Sequence, residues 1–119
     1  MTTLEIAHRL VALCREQKWE TAQRELYAAD AVSLEPEETP TTPRVTKGLE
    51  SIVAKGRAFV GMVDTMHALT VSDPLVAGQS FACTMALDVT FKGQPRMQMA
   101  ELCVYEVRNG KIVSEQFHA

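Results

Sequence analysis

Four side chains have the type and setting for proton transfer or ligand hydrogen bonding: Glu35, His67, Glu101 and Tyr105. Glu35 ends the apolar run Ala31-Val32-Ser33-Leu34 and is followed by Pro36, two more acids and two more prolines. It is either the first charge of a solvated loop or a carboxylate aimed from a strand end into a cavity. Burial over apolar surface would raise its proton affinity and make it a better base near neutral pH. Glu101 stands two residues before Cys103, on the side of an extended segment that carries Met99, Cys103 and Tyr105. It is either desolvated in a cavity or a charge at an interface rim. The Tyr105 hydroxyl could donate to a ligand oxygen, or its ring could simply fill the core. His67, in "TMHALTVSDP", could shuttle protons for either glutamate, although a lone histidine on a strand is more often structural.

Other chemistries lack their residues. His8, His67 and His118 have no zinc-ligand spacing, and Cys14, Cys83 and Cys103 form no C-x-x-C pair. There is no glycine-rich phosphate loop and no Ser/His/Asp order. No metal and no organic cofactor is expected.

The elements that must position these groups are legible from periodicity. Thr2 and Glu5 have the capping-box form, and Leu4, Ala7, Leu10, Val11 and Cys14 recur at helical spacing. A second helix carries Trp19, Ala22, Leu26 and Ala29 on its inner side. A short strand, Ala31 to Leu34, leads into a stiff Pro- and Thr-rich loop, and "RVTKG" adds a few strand residues. Gly48 precedes a third helix with Leu49, Ile52, Val53, Gly56, Phe59, Val60 and Val63 in rhythm. The rest is β: Met66 to Val71, a turn at "DPLVAGQ" with room for a little strand, an alternating segment Phe81 to Phe91, then Met97 to Val107. An Asn-Gly hairpin follows, and Ile112 to Phe117 ends the chain. Asp88 alternates away from the apolar side and reads as surface or interface. Helices first and antiparallel strands second is the α+β pattern.

With 119 residues, 46% hydrophobic and 23% charged, the chain reads as one soluble domain, residues 1–119. A net charge of -3, no basic run and 6% aromatics argue against nucleic acid or an anionic membrane as partner. The unpaired cysteine count and the lack of a signal-peptide pattern point to the cytoplasm. The strand Met97 to Val107 is apolar on both sides, so both must be covered. Helices cover one, and a second copy of the chain is the simplest cover for the other, which predicts a homodimer.

The element order resembles the nuclear-transport-factor-2-like fold, a cone-shaped, mostly antiparallel curved sheet wrapped around three helices. More narrowly it resembles the SnoaL-like group of that superfamily, with its polyketide cyclases and ketosteroid-isomerase-like proteins. "LYAADAVSLEP" at Leu26 to Pro36, "TKGLESIVAK" at Thr46 to Lys55 and "YEVRNGKIVSEQF" at Tyr105 to Phe117 carry the resemblance. It implies that Glu35 occupies the position of the isomerase's proton-shuttling Asp. The isomerase's oxyanion hole, a Tyr and a protonated Asp, falls here at Leu10 or Val11 and at Cys103, so steroid isomerisation by that machinery is not expected. The resemblance implies a cone holding a small apolar or carbonyl-containing compound. Catalytic candidates are Glu35, His67 and Glu101; candidate ligand contacts are Tyr105, Cys103, Met99, Trp19 and Phe59. An isomerase, cyclase, hydrolase or lyase using a glutamate base is one expectation. A non-catalytic binding or dimerisation module is the alternative.

Overall fold

The computed structural model describes residues 1–119. Helix α1 spans Thr3–Arg15 and begins with the expected capping box, in which Thr2 and Glu5 satisfy each other's backbone N–H groups. Its apolar stripe, Ile6, Ala7, Leu10, Val11 and Cys14, is fully buried. At its other end the Arg15 guanidinium donates to the Val71 carbonyl at 2.9 Å and to Asp73 at 2.9 Å, tying the helix to the edge of the sheet.

Helix α2 spans Trp19–Leu26, and β1 follows at once as Tyr27–Leu34. This corrects the expectation that the helix reaches Ala29. Ala29 and Asp30 are exposed, so a longer helix would bury nothing there. Tyr27 is instead extended (φ -92°, ψ 144°), which sends its side chain into the core. Strand β2, Val45–Lys47, turns back antiparallel on β1, so the proline-rich stretch is a hairpin loop with Glu35 N–H bonded to the Arg44 carbonyl at its root. Helix α3 runs Leu49–Met62, and β3 starts at Val63, three residues earlier than the periodicity predicts. Strands β4 (Leu75–Ala77), β5 (Ser80–Phe91), β6 (Met97–Arg108) and β7 (Lys111–His118) complete the chain. The β6–β7 turn has Asn109 and Gly110 both at positive φ, as an Asn-Gly hairpin requires.

The sheet order is β2-β1-β7-β6-β5-β3, with β4 on the same edge of β5 as β3. Neighbours are antiparallel except β1 and β7, which pair in parallel. The result is an α+β cone: a large mixed sheet, three helices against its inner face. Register places the inner-face side chains in rows. Ser33, Glu115, Tyr105 and Phe81 form one row. Phe117, Cys103 and Cys83 form the next, then Glu101, Met85 and Val71, then Met99, Leu87 and Leu69, and last Met97, Val89 and Met66. Most of this face is buried core. No helix is long and apolar enough to cross a membrane.

Candidate functional site

Polar groups gather at one end of the inner face, where β1, β6 and β7 meet α3. Lys55 of α3 is their hinge. Its ammonium donates to Ser33 Oγ at 2.6 Å and to Glu35 Oε1 at 2.8 Å. Ser33 donates to Glu115 Oε2 at 2.6 Å, and the Tyr27 hydroxyl donates to the other oxygen of Glu115. Lys55 Nζ also stands 5.7 Å from the centre of the Phe117 ring. Glu35 and Lys55 keep only 22% and 17% of their side-chain surface exposed, so the pair is screened less than a surface salt bridge.

Glu115 is almost wholly buried. Burial raises its proton affinity, opposed by the hydrogen bonds from Ser33 and Tyr27 and by the charge of Lys55. Burial likewise raises Tyr27, with Glu115 adding to the effect. Glu101 sits on β6, two rows beyond Glu115. Its one hydrogen-bond contact is with the Cys103 thiol, 4.0 Å from Oε1. Burial, then repulsion from Glu35 and Glu115, pushes its carboxyl up to about 7, with Lys55 pulling the other way. A carboxyl with that value is divided between acid and base at neutral pH, which suits it to moving a proton in either direction.

The sequence-derived candidates divide in space. Glu35 joins the polar cluster through Lys55. Glu101 makes no hydrogen bond to it and stands with Cys103 and Met99 on the same inner face, where it feels the charges of Glu35, Glu115 and Lys55. Glu35 is not a solitary desolvated base, because Lys55 neutralises it. Tyr105 is fully buried and stacks on Phe81 with ring centres 4.7 Å apart. Burial raises it further above its ordinary value. His67 stands apart: it occupies the register shift between Met66 and Ala68, is exposed, and bonds Thr90 Oγ1 at 2.8 Å. Trp19 and Phe59 meet elsewhere, with Val60, Val63 and Met66, in a cleft of about 310 Å³. Met66 lies level with Met97 on β6, so Glu101 is four residues, or about 13 Å, farther along the sheet. Asp88 is tied to Arg96 at 2.7 Å, away from the cluster.

Sequence reasoning missed Lys55, Ser33, Tyr27 and Glu115 as site residues. Lys55 carried a signal: it stands three residues after Ile52 and four before Phe59, a polar residue in the apolar stripe of α3. No cluster of His, Cys, Asp and Glu side chains is arranged to hold a metal ion.

The SnoaL-like domain family matches residues 1–119. The chain belongs to this family. Its structure is similar to that of a protein provisionally named a SnoaL-like polyketide cyclase from Mesorhizobium loti, at 32% identity, TM-score 0.92 and full coverage of both chains. The SnoaL-like chain also shares its fold with a ketosteroid-isomerase-like protein from Catenulispora acidiphila solved with trimethylamine, at 19% identity and TM-score 0.74, covering 97% of this chain and 85% of that one. An NTF2-like protein of unknown function from Burkholderia pseudomallei is similar at 16% identity and TM-score 0.80, covering 99% and 91%. No curated protein matches the chain.

Proposed function

We propose that this SnoaL-like protein is an acid–base enzyme of the isomerase or cyclase type, acting on a small, largely apolar carbonyl compound. One observation carries the reading: Glu101, with its carboxyl at about 7, lies on the inner sheet face with Met99 and Cys103, within reach of the charges of Lys55 and Glu35. Glu101 removes a proton α to the carbonyl and returns it at a second position. Lys55 has three N–H groups and uses two; the third serves the oxyanion that develops as the proton leaves. Glu35 balances the Lys55 charge in the resting site. Met99 and Phe117, both partly exposed, supply the apolar walls, with Cys103 buried behind them. The chemistry needs no metal or organic cofactor.

Support comes from the similarity to the Mesorhizobium loti protein and from the combination of a raised carboxyl with a fixed ammonium. The probe is 2-tetralone, whose α-protons exchange with deuterium at a rate readable by NMR. Wild-type protein is expected to accelerate exchange, with a rate that rises with pH through about 7 as Glu101 ionises. Glu101→Gln should lose about 10²- to 10⁴-fold. Equal exchange by wild type and variant would remove the base role.

The second reading is a binding module, and the Catenulispora acidiphila relative solved with trimethylamine favours it. In that case the protein binds small apolar ligands without accelerating exchange. In either reading we propose a homodimer joined through the outer face of β5, β6 and β7. That face presents Ala82, Thr84, Ala86, Ala100, Leu102 and Val104, small or apolar and open to solvent in the single chain.

A further inference from the structure

The reaction above employs Glu101 and Lys55 and leaves three buried polar groups behind Lys55 without a task. Their hydrogen-bond directions follow from donor chemistry alone. An ammonium only donates, so Ser33 Oγ accepts from Lys55. The single Ser33 proton then goes to Glu115 Oε2, and the Tyr27 proton goes to Glu115 Oε1. Both oxygens of a carboxyl that is 4% exposed are therefore engaged as acceptors. Glu35 takes a second proton of Lys55. Two directions of a tetrahedral ammonium are committed, which fixes the third.

We propose that Tyr27, Ser33 and Glu115 are positioning residues: through Ser33 they anchor the Lys55 ammonium so that its remaining N–H is held in one direction for a substrate oxygen. The proposal rests on the reading of Lys55 as oxyanion donor. A lysine is a point charge on a flexible four-carbon stem. With Glu35 alone it would swing about one partner at the root of a loop. The second anchor comes from β1 and is backed by β7, so it is set by the parallel β1–β7 ladder, where Ser33 and Glu115 are register partners. A purely structural core has little use for this arrangement, since a buried carboxylate costs more than an apolar replacement of the same volume.

The test uses ¹⁵N-lysine-labelled protein. An anchored ammonium exchanges its protons with water slowly enough to give an NMR cross-peak; the Lys55 peak is assigned by its loss in Lys55→Met. Ser33→Ala should speed Lys55 exchange at least tenfold and lower kcat for 2-tetralone exchange at least tenfold with KM kept. Ser33→Thr, which restores the hydroxyl, should recover both. Glu115→Gln, of equal volume, should weaken the anchor in the same direction and carries the test if Ser33→Ala does not fold. Unchanged Lys55 exchange in folded Ser33→Ala or Glu115→Gln would overturn the proposal, as would Ser33→Thr behaving like Ser33→Ala. If wild-type protein leaves 2-tetralone untouched while Ser33→Ala still frees Lys55, the proposed reaction falls and the anchoring stands.

Discussion

Glu101, the proposed base, also bears on stability at the level of a single side chain. Its carboxyl lies at about 7 in the folded protein against an ordinary 4.5. Between these values the folded chain holds a proton that the unfolded chain has released. Stability therefore falls as pH rises through that window and is level above it. The difference, 7 − 4.5 at about 1.4 kcal/mol per unit, makes the ionised form cost about 3 kcal/mol. Glu101→Gln stays neutral at every pH. It should match wild type near pH 4 and exceed it by up to about 3 kcal/mol at pH 8, read by urea unfolding at both. A gap that does not change with pH would show that Glu101 titrates normally. Glu101 was legible because strict strand alternation put it beside Cys103. Glu115 was not, for the same physical reason turned around. The register shifts between Glu106 and Val107, opposite Ser114 and Ile112, so Ile112 and Glu115 share the inner face at an odd spacing. Alternation counted from Ile112 sends Glu115 to the wrong side.

At the scale of elements, the site depends on where α3 begins, because α3 carries Lys55. Gly48 makes that junction. Its N–H bonds the Ala31 carbonyl at 2.8 Å, and its backbone sits at φ 92°, ψ 143°. Side-chain-bearing residues avoid that conformation. A methyl group would meet nothing closer than the Ala29 carbonyl oxygen at 4.0 Å, so the cost of Gly48→Ala is conformational and not a clash. The variant should lose about 1–3 kcal/mol, seen as a lower urea midpoint with an unchanged slope. An unchanged midpoint would mean the junction relaxes freely. Gly56 is different. A methyl group there would meet the Gln23 side-chain atoms at 3.5 and 3.7 Å, ordinary contact with a flexible side chain. Periodicity found all three helices but overran α2 and α3, since apolar spacing continues past the residue where the backbone extends. Val63 fits the helical rhythm and still begins β3.

At the scale of the whole molecule, the order of helices and strands could be read along the chain. The parallel pairing of β1 with β7 could not, because it joins segments some eighty residues apart (Tyr27 with Ile112) and leaves no local pattern. That pairing brings Ser33 to Glu115 and so builds the polar cluster. The outer face was legible from the two-sided apolarity of β6. Register now gives its layout. Leu75, Ala82, Val104 and Gln116 lie in one row, Thr84, Leu102 and His118 in the next, and Ala86 and Ala100 beyond. Charge is confined to its border, at Asp88 and Glu106. An isologous dimer places this patch against its own copy, so one substitution enters the interface twice. Leu102, 42% exposed in the middle row, is the natural lever. Wild-type protein should sediment as a dimer at about ten micromolar. Leu102→Glu should weaken the dimer at least about a hundredfold, because two buried like charges would face each other without partners. Its circular dichroism and the Lys55 ammonium signal should stay unchanged, since Leu102 points away from the helices. A wild-type monomer at that concentration would rule out this interface, and a Leu102→Glu dimer of full affinity would move it to another face.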